Sequence, residues 1–87
     1  PPAVERDDGS WLISGAFPVD ELAHRLGLPL PDERDYETVA GLALDQLRHL
    51  PQTGEKFRLS GWQFEIIDLD GRKIDKLLAM RMSESGA

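Results

Sequence analysis

Apolar positions along this chain first cluster, then recur with helical spacing, then alternate with polar ones. Ser10-Trp11-Leu12-Ile13-Ser14 is apolar at its centre and stops at Gly15, which predicts a short strand. Ala16-Phe17-Pro18 follows as a brief extended connection, because proline disfavours helical geometry in the residue before it. Val19, Leu22, Ala23 and Leu26 then fall at i, i+3, i+4 and i+7, one face of a helix beginning near Val19 or Asp20. Asp20 and Glu21 sit where the helix dipole favours anions. Gly27 is placed as a left-handed cap with Leu28 folding back on the last turn, and Pro29 and Pro31 prevent continuation.

After the charged loop of residues 32–37, a second helix is expected, capped by Asp35 or Thr38. Val39, Ala43, Leu47 and Leu50 step by four, four and three, and Pro51 should end it. Gly41 lies inside this helix at a cost of about 1 kcal/mol against alanine, so it is expected to permit a close approach by the sheet.

Three strands complete the chain: residues 56–59, 62–69 and 72 to about 82, separated by Ser60-Gly61 and Asp70-Gly71. Two-residue linkers of this type close hairpins, since glycine reaches positive φ without strain. The first turn sets Leu59 opposite Trp62 and Phe57 opposite Phe64. Closure at Asp70-Gly71 pairs Phe64 with Leu77, Ile67 with Ile74 and Glu65 with Lys76. The double apolar step Ile66-Ile67 marks a position for a bulge. The predicted class is α+β, with two helices on one face of a mainly antiparallel sheet and a C-terminal three-stranded meander. Residues 1–9 read as a linker from an upstream domain, 10–82 as the domain, and 83–87 as a tail.

Composition narrows the function. Eighty-seven residues suit one small domain, and ten Lys and Arg against sixteen Asp and Glu give a net charge of -6. That balance repels phosphate backbones, so nucleic acid and anionic membrane surfaces are not expected partners. The absence of cysteine removes disulfides, thiolate nucleophiles and cysteine-ligated zinc. No apolar run reaches the roughly 20 residues of a bilayer span, and no signal peptide is legible, so a soluble piece without membrane insertion is expected. The Pro-Pro start suggests a segment of a longer protein.

Candidate chemistry is sparse. Asp68-Leu69-Asp70-Gly71 opens like a calcium loop, but Arg72, Lys73 and Ala79 then stand where a ligand, the glycine and the bidentate glutamate belong. The stretch reads instead as a strand between two turns. Asp32, Glu33, Asp35 and Glu37 offer oxygens without a spacing rule, and a charge run is usually a solvated face. His24 and His49 lie on different predicted helices, the second in a last turn, with no paired metal spacing. No glycine run forms a phosphate cradle. Trp11 and Trp62 are read as core, with stacking on a base or flavin ring as the alternative. No catalytic, cofactor-binding or metal residue is assigned, and no enzyme is expected.

Leu78, Met80 and Met82 alternate with Leu77, Ala79 and Arg81, so the last strand is apolar towards both faces. Near a sheet edge such a strand is usually covered. Self-association or packing against the parent's other domains is expected, with cover from the helices or the N-terminal linker as the alternative.

In order along the chain, D-G-S-W-L with its following glycine, T-x-x-G-L, L-P-x-x-G-E and F-E-I-x-D-L-D-G-R-x-I resemble the transporter-associated domain of the CorC/HlyC family, over roughly residues 8–80. The resemblance implies a cytoplasmic module that follows a CBS pair and often a transmembrane domain in bacterial hemolysin-C-like and magnesium/cobalt efflux proteins. It implies a role in modulating ion transport, with no agreed catalytic residues. It also implies a fold similar to part of the flavin-binding fold of p-cresol methylhydroxylase relatives. Flavin adenine dinucleotide, or an adenine nucleotide bound between helices and sheet, is therefore the alternative ligand reading.

Overall fold

The computed structural model describes residues 2–83. Seven elements follow one another: β1 (Ala3–Glu5), β2 (Trp11–Ser14), α1 (Val19–Leu26), α2 (Val39–Leu47), β3 (Lys56–Leu59), β4 (Trp62–Asp70) and β5 (Lys73–Arg81). The strands form one antiparallel sheet in the order β1-β2-β5-β4-β3. Both helices pack on one face of it, the expected α+β arrangement. Two features of the edge differ from expectation. Ala3–Glu5 lies inside the segment read as linker, yet it pairs with β2. That added hairpin, together with β2 docking on β5, puts β5 in the middle of the sheet rather than near its edge.

The helices begin as a pair. Pro18 and Thr38, the residues preceding α1 and α2, form an antiparallel bridge. Val19 donates its N–H to Glu37 O at 2.9 Å, and Val39 donates to Phe17 O at 3.0 Å. The opening N–H groups of a helix have no partner within it. In α2, Ala40 finds Gly15 O at 2.8 Å and Gly41 finds Thr38 Oγ1 at 3.1 Å. Thr38, not Asp35, is thus the cap. At the far end of α1, Gly27 takes φ 73, and Leu28 donates back to Ala23 O at 2.9 Å while burying its side chain.

The second helix stops earlier than its apolar stripe suggests. It ends at Leu47, and Arg48 adopts the left-handed conformation at φ 62. Leu50, predicted on the buried face, is 65% exposed, and His49 lies past the helix rather than in its last turn. Gly41 does not serve the sheet either. A Cβ there would come within 2.5 Å of Tyr36 Cβ, in the loop before the helix. The glycine that admits close approach is Gly15, where a Cβ would fall 2.0 Å from Ile74 O and 3.2 Å from Ala40 Cβ.

The meander shows why. Ser60 and Gly61 both have positive φ, the signature of a type I′ turn, and Leu59↔Trp62 and Phe57↔Phe64 pair as predicted. The Phe57 and Phe64 rings stack at 4.9 Å. The second hairpin closes one residue later than predicted, around Gly71-Arg72, with Asp70 opposite Lys73. Phe64 therefore faces Ala79, Glu65 faces Leu78, and Leu69 faces Ile74. The register is displaced by two residues, which keeps every side chain on its expected face away from the turn.

The anticipated bulge is present: the ladder passes from Ile66↔Leu77 to Asp68↔Lys76, skipping Ile67, and then to Leu69↔Ile74, skipping Asp75. One extra residue on each strand turns both phases together. Ile66 and Leu69, and likewise Leu77 and Ile74, consequently point to the core although three residues apart. The displaced Asp75 carbonyl is met by Gly15 N–H at 2.9 Å. Gly15 thus joins β5 to the start of α2.

Candidate functional site

Side chains from four places converge at the end of the sheet beneath the C-terminus of α1. They line an open cleft of about 540 Å³. Trp62, at the start of β4, is buried and donates its indole N–H to Leu26 O at 3.1 Å, a partner left free by the helix end. Arg81 is its cross-strand neighbour and lies 4.7 Å from the centre of its ring. Trp11, half-buried on β2, lies on the same face as its partner Ala79. Arg25, in the last turn of α1, sits over Trp11 at 6.0 Å and over Phe17 at 5.2 Å. Both indoles thus contribute to the core as expected, and each also carries a guanidinium on a face.

The β1–β2 loop supplies the opposite rim. Arg6 N–H donates to Ser10 O at 2.7 Å and Gly9 N–H to Arg6 O at 2.9 Å, with Gly9 at φ 86. Asp8 Oδ1 accepts from Ser10 Oγ at 2.6 Å and from Ser10 N–H at 2.9 Å. These bonds, the hydroxyl's above all, hold the Asp8 carboxyl below its usual range. Sequence reasoning passed over this loop. The Asp-Gly-Ser order was its available signal, since an aspartate readily bonds the backbone two residues on.

The charged and histidine candidates are scattered. Asp32, Glu33, Asp35 and Glu37 are exposed along their loop. Arg34 in the same loop bonds Pro31 O at 2.9 Å and pairs with Asp20. Asp68 lies 3.7 Å from Lys76 across the bulged ladder, while Asp70 stands opposite Lys73 at the turn. His24 is exposed on α1. His49 Nε2 is 2.5 Å from Glu55 Oε2, tying the end of α2 to the entry of β3. That contact, reinforced by Gln52 N–H, holds the Glu55 carboxyl below its ordinary value. Among the described residues no three His, Cys, Asp or Glu side chains are grouped to hold a metal ion. The layer between helices and sheet is filled by fully buried Leu22, Leu42, Val39, Phe64, Ile66 and Leu77.

The outer face of the sheet is different. Leu12 is the cross-strand partner of Val4 on one side and of Leu78 on the other, and Met80 follows two residues along β5. Val4 is 38% and Met80 45% exposed, and no helix covers this row.

Two helices packed on one face of a five-stranded antiparallel sheet, with the other face left uncovered, define a small α+β domain. The family model of the transporter associated domain, CorC_HlyC, matches residues 4–83, and the chain belongs to that family. A transporter associated domain from a Xylella fastidiosa Temecula1 hemolysin, solved in complex with Mg++ and Mn++, is 43% identical. It superposes with a TM-score of 0.85 and covers 95% of this chain and 100% of its own. The associated region of a putative Mg2+ and Co2+ transporter (CorC) from Neisseria meningitidis is 28% identical, with a TM-score of 0.82 and coverage of 94% and 100%. A polyamine export protein of Salmonella typhimurium is 36% identical over 80 residues, which are 91% of this chain. The chain spans only 18% of the length of that relative. No helix among the described residues is long and apolar enough to cross a membrane.

Proposed function

We propose that this domain is a non-catalytic regulatory module of a bacterial membrane exporter of cations, acting from the cytoplasmic side through contact with the rest of its parent chain. The observation that carries this reading is the uncovered row Val4, Leu12, Leu78 and Met80, on a sheet whose other face is sealed by helices. The family supplies the occupant. In the Salmonella relative more than four fifths of the chain lies outside the matched segment, and that remainder is where a covering domain would be found. Methionine and branched side chains give such a contact adaptable apolar area.

The cargo is a small cation. Relatives are described as exporting polyamines or as a putative Mg2+ and Co2+ transporter, which share positive charge and little else. Efflux of Mg2+, Co2+ and spermidine from loaded cells carrying the parent protein would test both halves of the reading. Removing residues 4–83 should leave transport running with an altered rate or cation dependence. Replacing Leu78 and Met80 together by lysine should reproduce that change while the isolated domain stays folded. Unchanged transport after the deletion would overturn the proposal.

A further inference from the structure

We infer that the cleft between Trp11, Trp62 and the β1–β2 loop is a binding site for a small zwitterion, a molecule carrying one ammonium and one carboxylate on a short apolar frame. The inference does not depend on the transport reading. It starts from two arginines. Stacking on an indole orients a guanidinium plane while leaving its N–H edge free to donate. Arg81 has no carboxylate within salt-bridge distance among the described residues. Arg25 has only Glu21, at 3.8 Å and with both side chains partly in solvent. In a chain with six more acidic than basic side chains, two such cations facing one cleft is an unusual arrangement. A planar carboxylate matches their donors.

The other rim carries the opposite charge. Glu5 and Asp8 line the same cleft. Asp8 is held in place through one oxygen by both Ser10 bonds, which leave its second oxygen unused. A simple anion would be repelled by this rim, and a diamine by the arginines. A zwitterion satisfies both, with its carbon frame lying against the Trp11 ring between them. The size also agrees, since small-molecule sites run from about 300 to 1,000 Å³.

The chain has only two tryptophans, and both line the cleft, so intrinsic fluorescence reports on it directly. The 87-residue protein should be titrated with 5-aminopentanoate, pentanoate, pentylamine and inorganic phosphate at equal ionic strength. The zwitterion should give a saturable change, at least tenfold tighter than any of the other three. Amide shifts should concentrate at residues 8–11, 25, 62 and 80–81. Arg81→Gln and Asp8→Asn should each weaken binding at least fivefold, Arg81→Lys should restore part of it, and Arg58→Gln on β3 should change nothing. Pentanoate or phosphate binding as tightly as the zwitterion would overturn the proposal. So would a folded Arg81→Gln protein that binds unchanged, or no saturable response to 5-aminopentanoate.

Discussion

The two faces of this sheet are built from alternate residues of the same strands and have opposite fates. On the helix side, Ile13, Phe64, Leu77 and Ala79 are wholly buried. On the outer side their immediate neighbours Leu12 and Leu78 are half-buried, and Met80 is exposed. Residue type alone does not separate the two sets. The difference lies in what each face packs against, and it teaches where stability ends and contact with other chain segments begins.

The largest break in that contrast should come from Phe64→Ala. It removes a fully buried ring stacked on Phe57 and should cost about 3–5 kcal/mol in urea unfolding. Leu78→Ala on the outer face should cost markedly less in the same measurement. Gly15→Ala comes next. Its Cβ would strike the Ile74 carbonyl, which is backbone and cannot rotate away, so roughly 1–3 kcal/mol is expected from the same denaturation curves. Thr38→Ala removes the side-chain cap of α2 and should cost about 1 kcal/mol, with Thr38→Ser recovering most of it.

A smaller effect concerns acid. Glu55 titrates below its ordinary value because the His49 ring and then Gln52 N–H favour its charged form. A carboxyl with a depressed folded pKa adds stability that is present above its unfolded pKa and lost as pH falls through the folded one. Glu55→Gln should therefore lower stability near neutrality and flatten the acid limb of a pH–stability profile below about pH 4.5. The smallest effect on folding should come from Met80→Lys, within about 0.5 kcal/mol of the parent in thermal unfolding, since the side chain is exposed. The same change should raise hydrogen exchange of β5 in the full-length protein, where the outer face is proposed to be covered.

Local signals were sufficient wherever a few adjacent residues decide the backbone. Val19 to Leu26 declares its helix by spacing, and Gly27 ends it because a left-handed residue is needed there. Ser60-Gly61 sets its hairpin register because both residues adopt the positive φ that a tight turn demands. The cleft was legible only as separate residues. Trp11, Arg25, Trp62 and Arg81 come from four elements, and their meeting follows from β2 docking on β5 and α1 lying over the sheet end.

The amino-acid sequence by itself determined the helices, the strands of the meander, the placement of Phe57 opposite Phe64, and a family resemblance that the comparison with relatives bears out. Tertiary structure alone decided the rest. It recruited Ala3–Glu5 as an edge strand and stopped α2 at Leu47 although apolar spacing ran on to Leu50. It also closed the second hairpin at Gly71-Arg72 and gave β4 and β5 one extra residue each. The reason is common to all three. Periodicity records which face of an element is apolar, whereas the end of a helix, the partner of an edge strand and the register of a bulged ladder depend on backbone groups meeting partners far away in the chain. Gly15, bonded to Asp75 on one side and to Ala40 on the other, is where those distant requirements meet.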